Sequence, residues 1–341
     1  MCNFPLFFAI QGVFYFMIIP INEIIEKSRY LDIDIEQPLP ILKIKGKICA
    51  TEGNFITISG LPKSRKTTFA FFMIASGLLK QPIFDIELNI GNEKIILIDT
   101  EQSIYDFAKQ IKILKYTLRQ KNLPSNFEAY LFRQYEPNQI IEAIEIIMQR
   151  DKPKVLVLDN LTELVINPND IPESKKIIQY LKKITFEYNC VVITLLHNSK
   201  SSNNTLGNLG SYADRGSQST LRAVMDKETD IFSLEPIFMR SDGHFTPINI
   251  FYNKDLNRYE QTDIEIKEKT KKLNVFELSD TDHINRISAI FKINKEIIYN
   301  ELVEAVKQIY GIGTNGAKQK IIPYLTGNNF IVSKKGIYSR L

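Results

Sequence analysis

The sequence predicts an α/β fold in which a mostly parallel β-sheet is flanked by helices, with a smaller module at the C-terminal end. Two observations predict the sheet. From residue 50 onward, short apolar runs alternate with longer stretches of helical spacing, which is the order that βα units produce. The apolar runs are also nearly continuous, as expected for strands that are covered by helices on both faces.

Predicted helices separate the successive predicted strands. The strands are expected at 55–59, 94–99, 154–159 and 190–196, and the helices at 69–79, 105–120, 138–150 and 174–189. In parallel sheets, active sites lie beyond the carboxyl ends of the strands. Polar residues follow four of the predicted strand ends, and they are Gly60 to Thr68, Asp99-Thr100-Glu101, Asp159-Asn160 and His197-Asn198.

Composition narrows the class of protein. The 341 residues suggest about two domains. A hydrophobic fraction of 44% and a charged fraction of 24% argue against a disordered chain, a collagen-like repeat and a coiled-coil rod. The net charge is only +4, so any nucleic-acid surface must be local. The cysteines Cys2, Cys49 and Cys190 are widely spaced and odd in number, which favours a reducing cytoplasm over a disulfide framework or a zinc site.

The first 22 residues carry no charge, and three interpretations stay open for the segment 1–35. These are a translation start at Met17, a buried strand or helix, and a signal or membrane segment. Against the last, no Lys or Arg precedes Lys27, and two prolines and a glutamine interrupt the run. We therefore expect no stable membrane association.

Residues 60–67, GLPKSRKT, have the spacing of the phosphate-binding loop G-x-x-x-x-G-K-[ST], with Arg65 in place of the second glycine. Such a loop wraps backbone N–H groups around phosphate at a helix N-terminus and supplies a lysine and a Mg²⁺-binding hydroxyl. The alternative is an ordinary basic turn, but the position between strand and helix favours a nucleotide. The residues expected to bind ATP and Mg²⁺ are Gly60, Pro62, Lys63, Ser64, Arg65, Lys66, Thr67, Thr68 and Asp159.

Three further side chains suit phosphoryl transfer. Asp159 ends an apolar strand, so we expect it to bind the metal together with Thr67 as a Walker B carboxylate; otherwise it caps the next turn. Glu101 would polarise the attacking water, unless it only stabilises the first turn of a helix. His197 would contact the γ-phosphate and couple hydrolysis to the following loop, or it is a rim residue.

Taken together, GLPKSRKTT, ILIDTEQS, VLVLDN, LLHNSK and LGNLGSYADRGSQSTL resemble the motifs of RecA-like P-loop ATPases. The sequence is most similar to the replicative-helicase and RepA-type branch found on bacterial mobile elements, over about residues 40–260. The resemblance implies a RecA-like domain at 36–261 with Glu101, Lys66 and His197 as catalytic residues. It also implies a homo-oligomeric ring or filament whose sites receive a cation from the neighbouring subunit, here Lys227 or Arg222.

Residues 198–215 are rich in Ser, Asn and Gly, and a loop of this length is usually either functional or disordered. In RecA-like proteins the equivalent loop faces the channel and contacts DNA. This implies that Lys200 and Arg215 contact phosphates of single-stranded DNA and that Tyr212 stacks on a base. A solvated loop without a ligand is the alternative.

The C-terminal segment differs in charge from the rest of the chain. After a charged linker at 262–280, residues 281–341 contain nine Lys or Arg and four Asp or Glu. Helices are expected at 296–310 and 315–325, followed by a hairpin within 327–341. This order is similar to a winged helix, which would bind duplex DNA through Lys318, Lys320, Lys334 and Lys335. A small protein-interaction domain is the alternative.

Three functions fit these features. The first is a DNA-dependent ATPase that serves as a helicase or a replication or mobilisation factor of a mobile element. The second is a non-motor, ATP-dependent oligomeric switch or DNA-binding regulator with little hydrolysis. The third is a P-loop kinase for a small molecule, although no arginine-rich lid follows the third strand.

Overall fold

The computed structural model of the protein describes residues 25–26, 29, 36–198, 205–266, 278–292, 294–334 and 336–340. Most of the segment 1–35 and of the predicted linker therefore lies outside the described residues. Within the described ranges, no helix is long and apolar enough to cross a membrane. The chain divides into two compact units, the larger with residues 1–224 and 233–248 and the smaller with 225–232 and 249–341.

The larger unit contains a mostly parallel sheet and a small antiparallel one. The main sheet has the strand order β10-β9-β3-β8-β7-β5-β6 within this unit, and the small sheet has the order β2-β1-β4. The strands are β1 (Pro40–Ile44), β2 (Lys47–Thr51), β3 (Phe55–Gly60), β4 (Ile86–Leu88), β5 (Ile95–Asp99), β6 (Phe127–Leu131), β7 (Val155–Asp159), β8 (Val191–His197), β9 (Ser219–Met225) and β10 (Phe232–Met239). β3, β5, β6, β7, β8 and β9 pair in parallel.

Helices cover both faces of this sheet, as the sequence predicts. They are α1 (Lys66–Leu79), α2 (Ile104–Thr117), α3 (Pro137–Asp151), α4 (Ile171–Tyr188) and α5 (Gly207–Gly216). Ile96 and Ile98 of β5 belong to a buried cluster with residues of α3, α4 and α5. Ile95 points to the other face, where it lies against Gly77 of α1. Apolar burial on both faces explains why these strands read as continuous apolar runs.

The predicted loop at 198–215 is wrong in its second half, because residues 207–216 form α5. Leu209 and Ala213, one helical turn apart, are fully buried in the cluster beneath the sheet. Burial of this face outweighs the weak helix propensity of the Gly-, Ser- and Asn-rich sequence. Residues 199–204 lie outside the described residues, and Asn198 forms a β-bridge with Thr205.

The smaller unit combines a hairpin with a helical module. The hairpin joins β11 (Ile248–Asn253) to β12 (Arg258–Thr262). The module contains α6 (Asp280–Ile290), β13 (Glu296–Ile298), α7 (Tyr299–Tyr310), α8, β14 (Ile331–Lys334) and β15 (Ile337–Arg340). α8 consists of a helical turn at Thr314–Gly316, a π turn at Ala317–Ile321 and a last segment at Ile322–Gly327.

The structure differs from the prediction for the C-terminal segment in two details. The helix predicted at 296–310 begins only at Tyr299, because Glu296 to Ile298 pair antiparallel with Ile337 to Ser339. α6 was not predicted, although Ser279 and Asp282 form a capping box at its start, a pattern that the sequence displays. The expected hairpin is present as β14 and β15, which pair from Ile331↔Arg340 to Lys334↔Ile337.

Candidate nucleotide-binding site

Four strand ends meet at one edge of the main sheet. β3, β8, β7 and β5 are consecutive neighbours and run parallel, so their carboxyl ends lie side by side. Gly60 stands opposite His197, and Asp99 opposite Asp159. The sheet order thus brings together the polar residues that the sequence placed after four separate strands.

The loop after β3 has the shape that a phosphate-binding loop needs. Lys63 and Arg65 adopt left-handed backbone conformations, with φ of 67° and 71°, and α1 begins directly after Arg65. Glycine is the usual residue at the position of Arg65 because it adopts this conformation without steric cost. The arginine therefore keeps the loop geometry at the expense of about 1 kcal/mol of backbone strain.

Gly60 and Ser64 lie in close contact at the base of the loop. A Cβ atom on Gly60 would lie 2.4 Å from Ser64 Oγ and 2.5 Å from the carbonyl oxygen of Ala223, so no side chain fits there. Ser64 Oγ is itself buried and makes no hydrogen bond with the described residues. Because buried hydroxyls are normally paired, this one marks a place where a bound ligand would supply the partner.

Lys66 is a buried cation at the start of α1, with 6% of its surface exposed. Its Nζ donates hydrogen bonds to the carbonyl oxygens of Gly60 (3.0 Å) and Leu61 (3.1 Å) and lies 3.1 Å from His197 Nδ1. Burial lowers the pKa of Lys66 to about 8, against the opposing attraction of Asp159 and Glu101. An anion bound at this point would compensate for the lost hydration of the ammonium group.

Thr67 and Asp159, which the sequence predicts as metal ligands, contact each other in the structure. Thr67 donates from Oγ1 to Asp159 Oδ2 at 2.6 Å. Burial raises the pKa of Asp159 to about 7, with Asp99 and Glu101 adding to the shift and the bond from Thr67 opposing it. A divalent cation would favour the ionised carboxylate.

These donors fit Mg²⁺. The ion prefers oxygen ligands and is usually held by one or two protein groups while phosphate oxygens and waters complete its shell. The hydroxyl of Thr67 and the carboxylate of Asp159 meet that requirement. No group of three or more His, Cys, Asp or Glu suited to holding a metal occurs in the part of the chain that the structure describes.

Glu101 is joined to Lys66 through the ring of His197. Glu101 Oε2 lies 3.2 Å from His197 Nε2, and the other ring nitrogen lies 3.1 Å from Lys66 Nζ. A charged lysine can only donate, so His197 accepts at Nδ1 and donates from Nε2 to the carboxylate. This hydrogen bond lowers the pKa of Glu101, which keeps the carboxylate ionised and able to accept a hydrogen bond from water.

Three residues that the sequence did not single out position these groups. Asp99 accepts hydrogen bonds from the backbone N–H groups of Glu101 (2.9 Å) and Gln102 (2.8 Å) and fixes the turn after β5. Thr100 Oγ1 accepts from the N–H of Asn160 at 2.9 Å, which ties the ends of β5 and β7 together. Asn160 Nδ2 reaches Glu101 Oε2 at 3.5 Å. Only the polarity of the strand ends signalled these roles.

Comparison with known proteins shows the family of this chain. The profile of a family described as an AAA domain matches residues 25–203, just over half of the chain. The chain belongs to this AAA-domain family. Its mostly parallel sheet flanked by helices agrees with the α/β fold that the sequence predicts.

A KaiC-like protein from the archaeon Pyrococcus horikoshii is similar in structure. Its TM-score is 0.45 at 14% identity, and the match covers 62% of this chain and 90% of the archaeal one. None of the curated proteins compared with the chain matches it.

The two residues expected to act on a neighbouring subunit lie beyond the segment matched to the AAA domain. Arg222 of β9 forms an ion pair with Glu235 of β10 at 2.5 Å. Lys227 is exposed in the turn after β9. Arg222 is therefore paired within its own chain, whereas the Lys227 side chain lies at the surface of the smaller unit.

The described residues expected to contact DNA are Tyr212 and Arg215 on α5 and Lys318, Lys320 and Lys334 in the C-terminal module. Tyr212 lies on α5, is partly buried against the core, and has Lys175 Nζ at 5.7 Å and Arg215 Cζ at 5.9 Å from its ring centre. Packing against the core leaves Tyr212 less free to stack on a base than a loop residue would be. Lys318, Lys320 and Lys334 are exposed, whereas Lys200 and Lys335 lie outside the described residues.

Proposed function

We propose that this protein is a DNA-dependent ATPase that binds and hydrolyses ATP at one cluster of residues at the ends of the sheet strands. We call this set, Lys66, Thr67, Glu101, Asp159 and His197, the strand-end cluster. The observation that carries the proposal is the continuous set of contacts Glu101–His197–Lys66 beside the pair Thr67–Asp159. It combines an anion-binding cation, a metal-binding pair and an ionised carboxylate in one place. These are the parts that phosphoryl transfer requires.

Each side chain has a distinct role in the proposal. Lys66 and the loop N–H groups bind the β- and γ-phosphates, and Ser64 gains a partner there. Mg²⁺ held by Thr67 and Asp159 would neutralise charge on the phosphates. Glu101 orients the attacking water, and Asp99 and Asn160 hold Glu101 in place. A phosphate that draws Lys66 away from His197 would alter the hydrogen bonds of the imidazole, so His197 reports the nucleotide state.

His197 also connects the site to the expected DNA-contacting segment. Its carbonyl oxygen accepts a hydrogen bond from the N–H of Leu206 at 3.0 Å, one residue before α5. We propose that a change at His197 moves Leu206 and α5, and that Lys200, Tyr212 and Arg215 contact single-stranded DNA. In this proposal copies of the chain form a ring or filament in which Lys227 reaches the neighbouring nucleotide, as in a helicase or a replication or mobilisation factor of a mobile element.

The ATPase rate of the full chain with and without single-stranded DNA tests this function. We expect DNA to raise the rate several-fold. Lys66→Ala should lose binding and turnover, while Glu101→Gln should still bind ATP and lose at least about 100-fold in turnover. Lys176→Ala is the matched control, because Lys176 is an exposed lysine of α4 that has no role in the proposal. A rate that neither DNA nor Glu101→Gln changes would contradict the proposal.

A second candidate is an ATP-dependent switch with little hydrolysis. Arg65 favours it, because an arginine replaces the usual second glycine of the loop and is held in a strained conformation. Tight binding of ATP by the wild-type protein with no measurable turnover, with or without DNA, would support the switch. Restored turnover in Arg65→Gly would assign the loss to this residue.

A further inference from the structure

The exposed face of α2 carries an unusual set of side chains. At 3.6 residues per turn, Tyr105, Lys109, Lys112 and Tyr116 fall within about 60° of arc on one side of this helix. All four are exposed, and the tyrosines keep 77% and 72% of their surface open to solvent. We call these four residues the α2 stripe.

The α2 stripe is not needed to hold the helix in place. Leu114, on the opposite side, is the buried residue of α2. Among the described residues, no ion pair or hydrogen bond engages the side chains of Lys109 and Lys112. Residues 104–121 contain five Lys or Arg and one Asp, so the surroundings of the stripe are strongly cationic. Two aromatic rings and two unpaired ammonium groups are therefore presented outward.

This combination matches one class of ligand. Proteins that bind single-stranded nucleic acid pair cations, which contact the phosphates, with exposed aromatic rings on which bases stack. Interfaces between protein subunits, in contrast, are depleted of lysine. The Cα atoms of Tyr105 and Tyr116 are about 16 Å apart along the helix, so the stripe can contact several nucleotides.

We propose that the α2 stripe is a binding site for single-stranded nucleic acid, separate from the segment 198–215. The inference rests on the proposed function for the class of ligand only, because it requires neither ATP nor turnover. α2 is capped by Ser103, two residues after Glu101. Tyr105 is therefore only four residues after Glu101, the carboxylate proposed to orient water. Nucleic acid bound at Tyr105 could act on the ATPase site through this short stretch of chain.

Tryptophan substitution tests the stacking directly, because the chain contains no tryptophan. Tyr105→Trp and Tyr116→Trp each introduce a single tryptophan into the full-length protein, and its emission can be excited selectively. The matched control is Phe186→Trp on α4, where Phe186 is 85% exposed. A thymidine oligonucleotide of about 16 nucleotides, added without ATP, should quench the first two and leave the control unchanged. Quenching of all three alike, or of none, would overturn the site.

Charge reversal tests the phosphate contacts. Lys109→Glu with Lys112→Glu should weaken binding of the same oligonucleotide at least tenfold and reduce its salt slope by about 1.4. Lys176→Glu with Lys182→Glu makes the same charge change on α4, where both lysines are exposed, and should change neither. Wild-type affinity in the α2 variant would contradict the site.

Three outcomes separate this inference from its alternatives. Tryptophan emission that follows protein concentration in the absence of oligonucleotide would show that a second copy of the chain covers the stripe, and would overturn it. Wild-type oligonucleotide affinity in the α2 variants, together with DNA stimulation of the wild-type ATPase, would leave the proposed function standing while the α2 site fails. Quenching in a protein that hydrolyses no ATP would keep the α2 site and remove the proposed function.

Discussion

Lys66 is a buried charge that the ligand-free fold only partly compensates. Burial lowers its pKa to about 8, whereas an unfolded lysine titrates near 10.4. The folded chain therefore disfavours the charged form: below about pH 8 the ammonium group destabilises the fold in full, and this cost is relieved as the pH rises from about 8 to 10.4. Such a residue is expected where the binding of an anion matters more for function than the stability of the ligand-free fold.

The first prediction follows from this cost. Lys66→Met should raise the free energy of unfolding of the ligand-free protein by about 2 kcal/mol at pH 7, because the desolvated charge is removed. The same variant should lose the stabilisation that MgATP gives the wild type. Urea denaturation with and without MgATP measures both. Lys176→Met serves as the exposed control, and a less stable Lys66→Met that still responds to MgATP would refute the assignment.

The affinity for ATP should depend on pH through the same group. Above about pH 8 the free protein loses the proton of Lys66, so binding must first restore it, and the affinity should fall about tenfold between pH 7 and 9. Lys66→Arg keeps its charge at these pH values and should show a flat profile. Calorimetric titration with MgATP at several pH values distinguishes the two; parallel profiles would mean that Lys66 does not titrate in the site.

At the residue scale, the sequence predicts those site residues that belong to a motif. Lys66, Thr67 and Asp159 follow from loop spacing and strand ends. The positioning roles of Asp99, Thr100 and Asn160 do not, because they depend on hydrogen bonds between strand ends that are neighbours only in the folded sheet. The left-handed backbone conformation of Arg65 likewise could not be predicted. The sequence shows that the second glycine is missing, but it does not show whether the loop still forms.

At the scale of elements, α5 shows why hydrophobic periodicity alone was insufficient to predict every helix. Its buried apolar side chains, Leu209 and Ala213, are a weak signal among glycines, serines and asparagines, and tertiary burial decides the helix. β13 is a similar case: it has three residues, and its partner strand lies some forty residues later. The long strands and helices of the main sheet were predictable because each one carries its own hydrophobic pattern.

The glycine that begins α5 gives the second structural prediction. Gly207 has φ of 64°, and a Cβ there would lie 2.5 Å from Asn169 Oδ1 and 2.7 Å from the carbonyl oxygen of Pro168. Gly207→Ala should therefore lower the free energy of unfolding by about 2 kcal/mol. It should also reduce DNA stimulation of the ATPase, because α5 is displaced. Gly243→Ala is the matched control, since open space surrounds Gly243; equal effects of the two changes would contradict this account.

At the scale of the whole molecule, positive charge is concentrated in the C-terminal module. Residues 281–341 hold nine Lys or Arg against four Asp or Glu, while the entire chain has a net charge of only +4. The module buries its own apolar cluster, which includes Leu302, Val306 and Ile321, and exposes Lys318 and Lys320 on the helix before its hairpin. This arrangement supports the proposal of a winged-helix-like module that binds duplex DNA.

Charge reversal within the module tests that proposal. Lys318→Glu with Lys320→Glu should weaken binding to duplex DNA and reduce the salt slope by about 2, because two phosphate contacts are lost. Lys292→Glu with Lys295→Glu changes the net charge equally at exposed positions outside that helix and should have the smaller effect. Fluorescence anisotropy over a range of salt concentrations gives both slopes. An unchanged slope in the first variant would favour a protein-docking role for the module.

The central claim is that four neighbouring strand ends form one site for MgATP. A crystal structure of the Glu101→Gln protein with ATP and Mg²⁺ tests it most directly. The account predicts triphosphate density over the loop 60–67, with Lys66 Nζ hydrogen-bonded to a phosphate oxygen and the metal beside Thr67 and Asp159. A nucleotide bound elsewhere, or a loop that stays empty at saturating MgATP with Lys66 still bonded to Gly60 and His197, would contradict it.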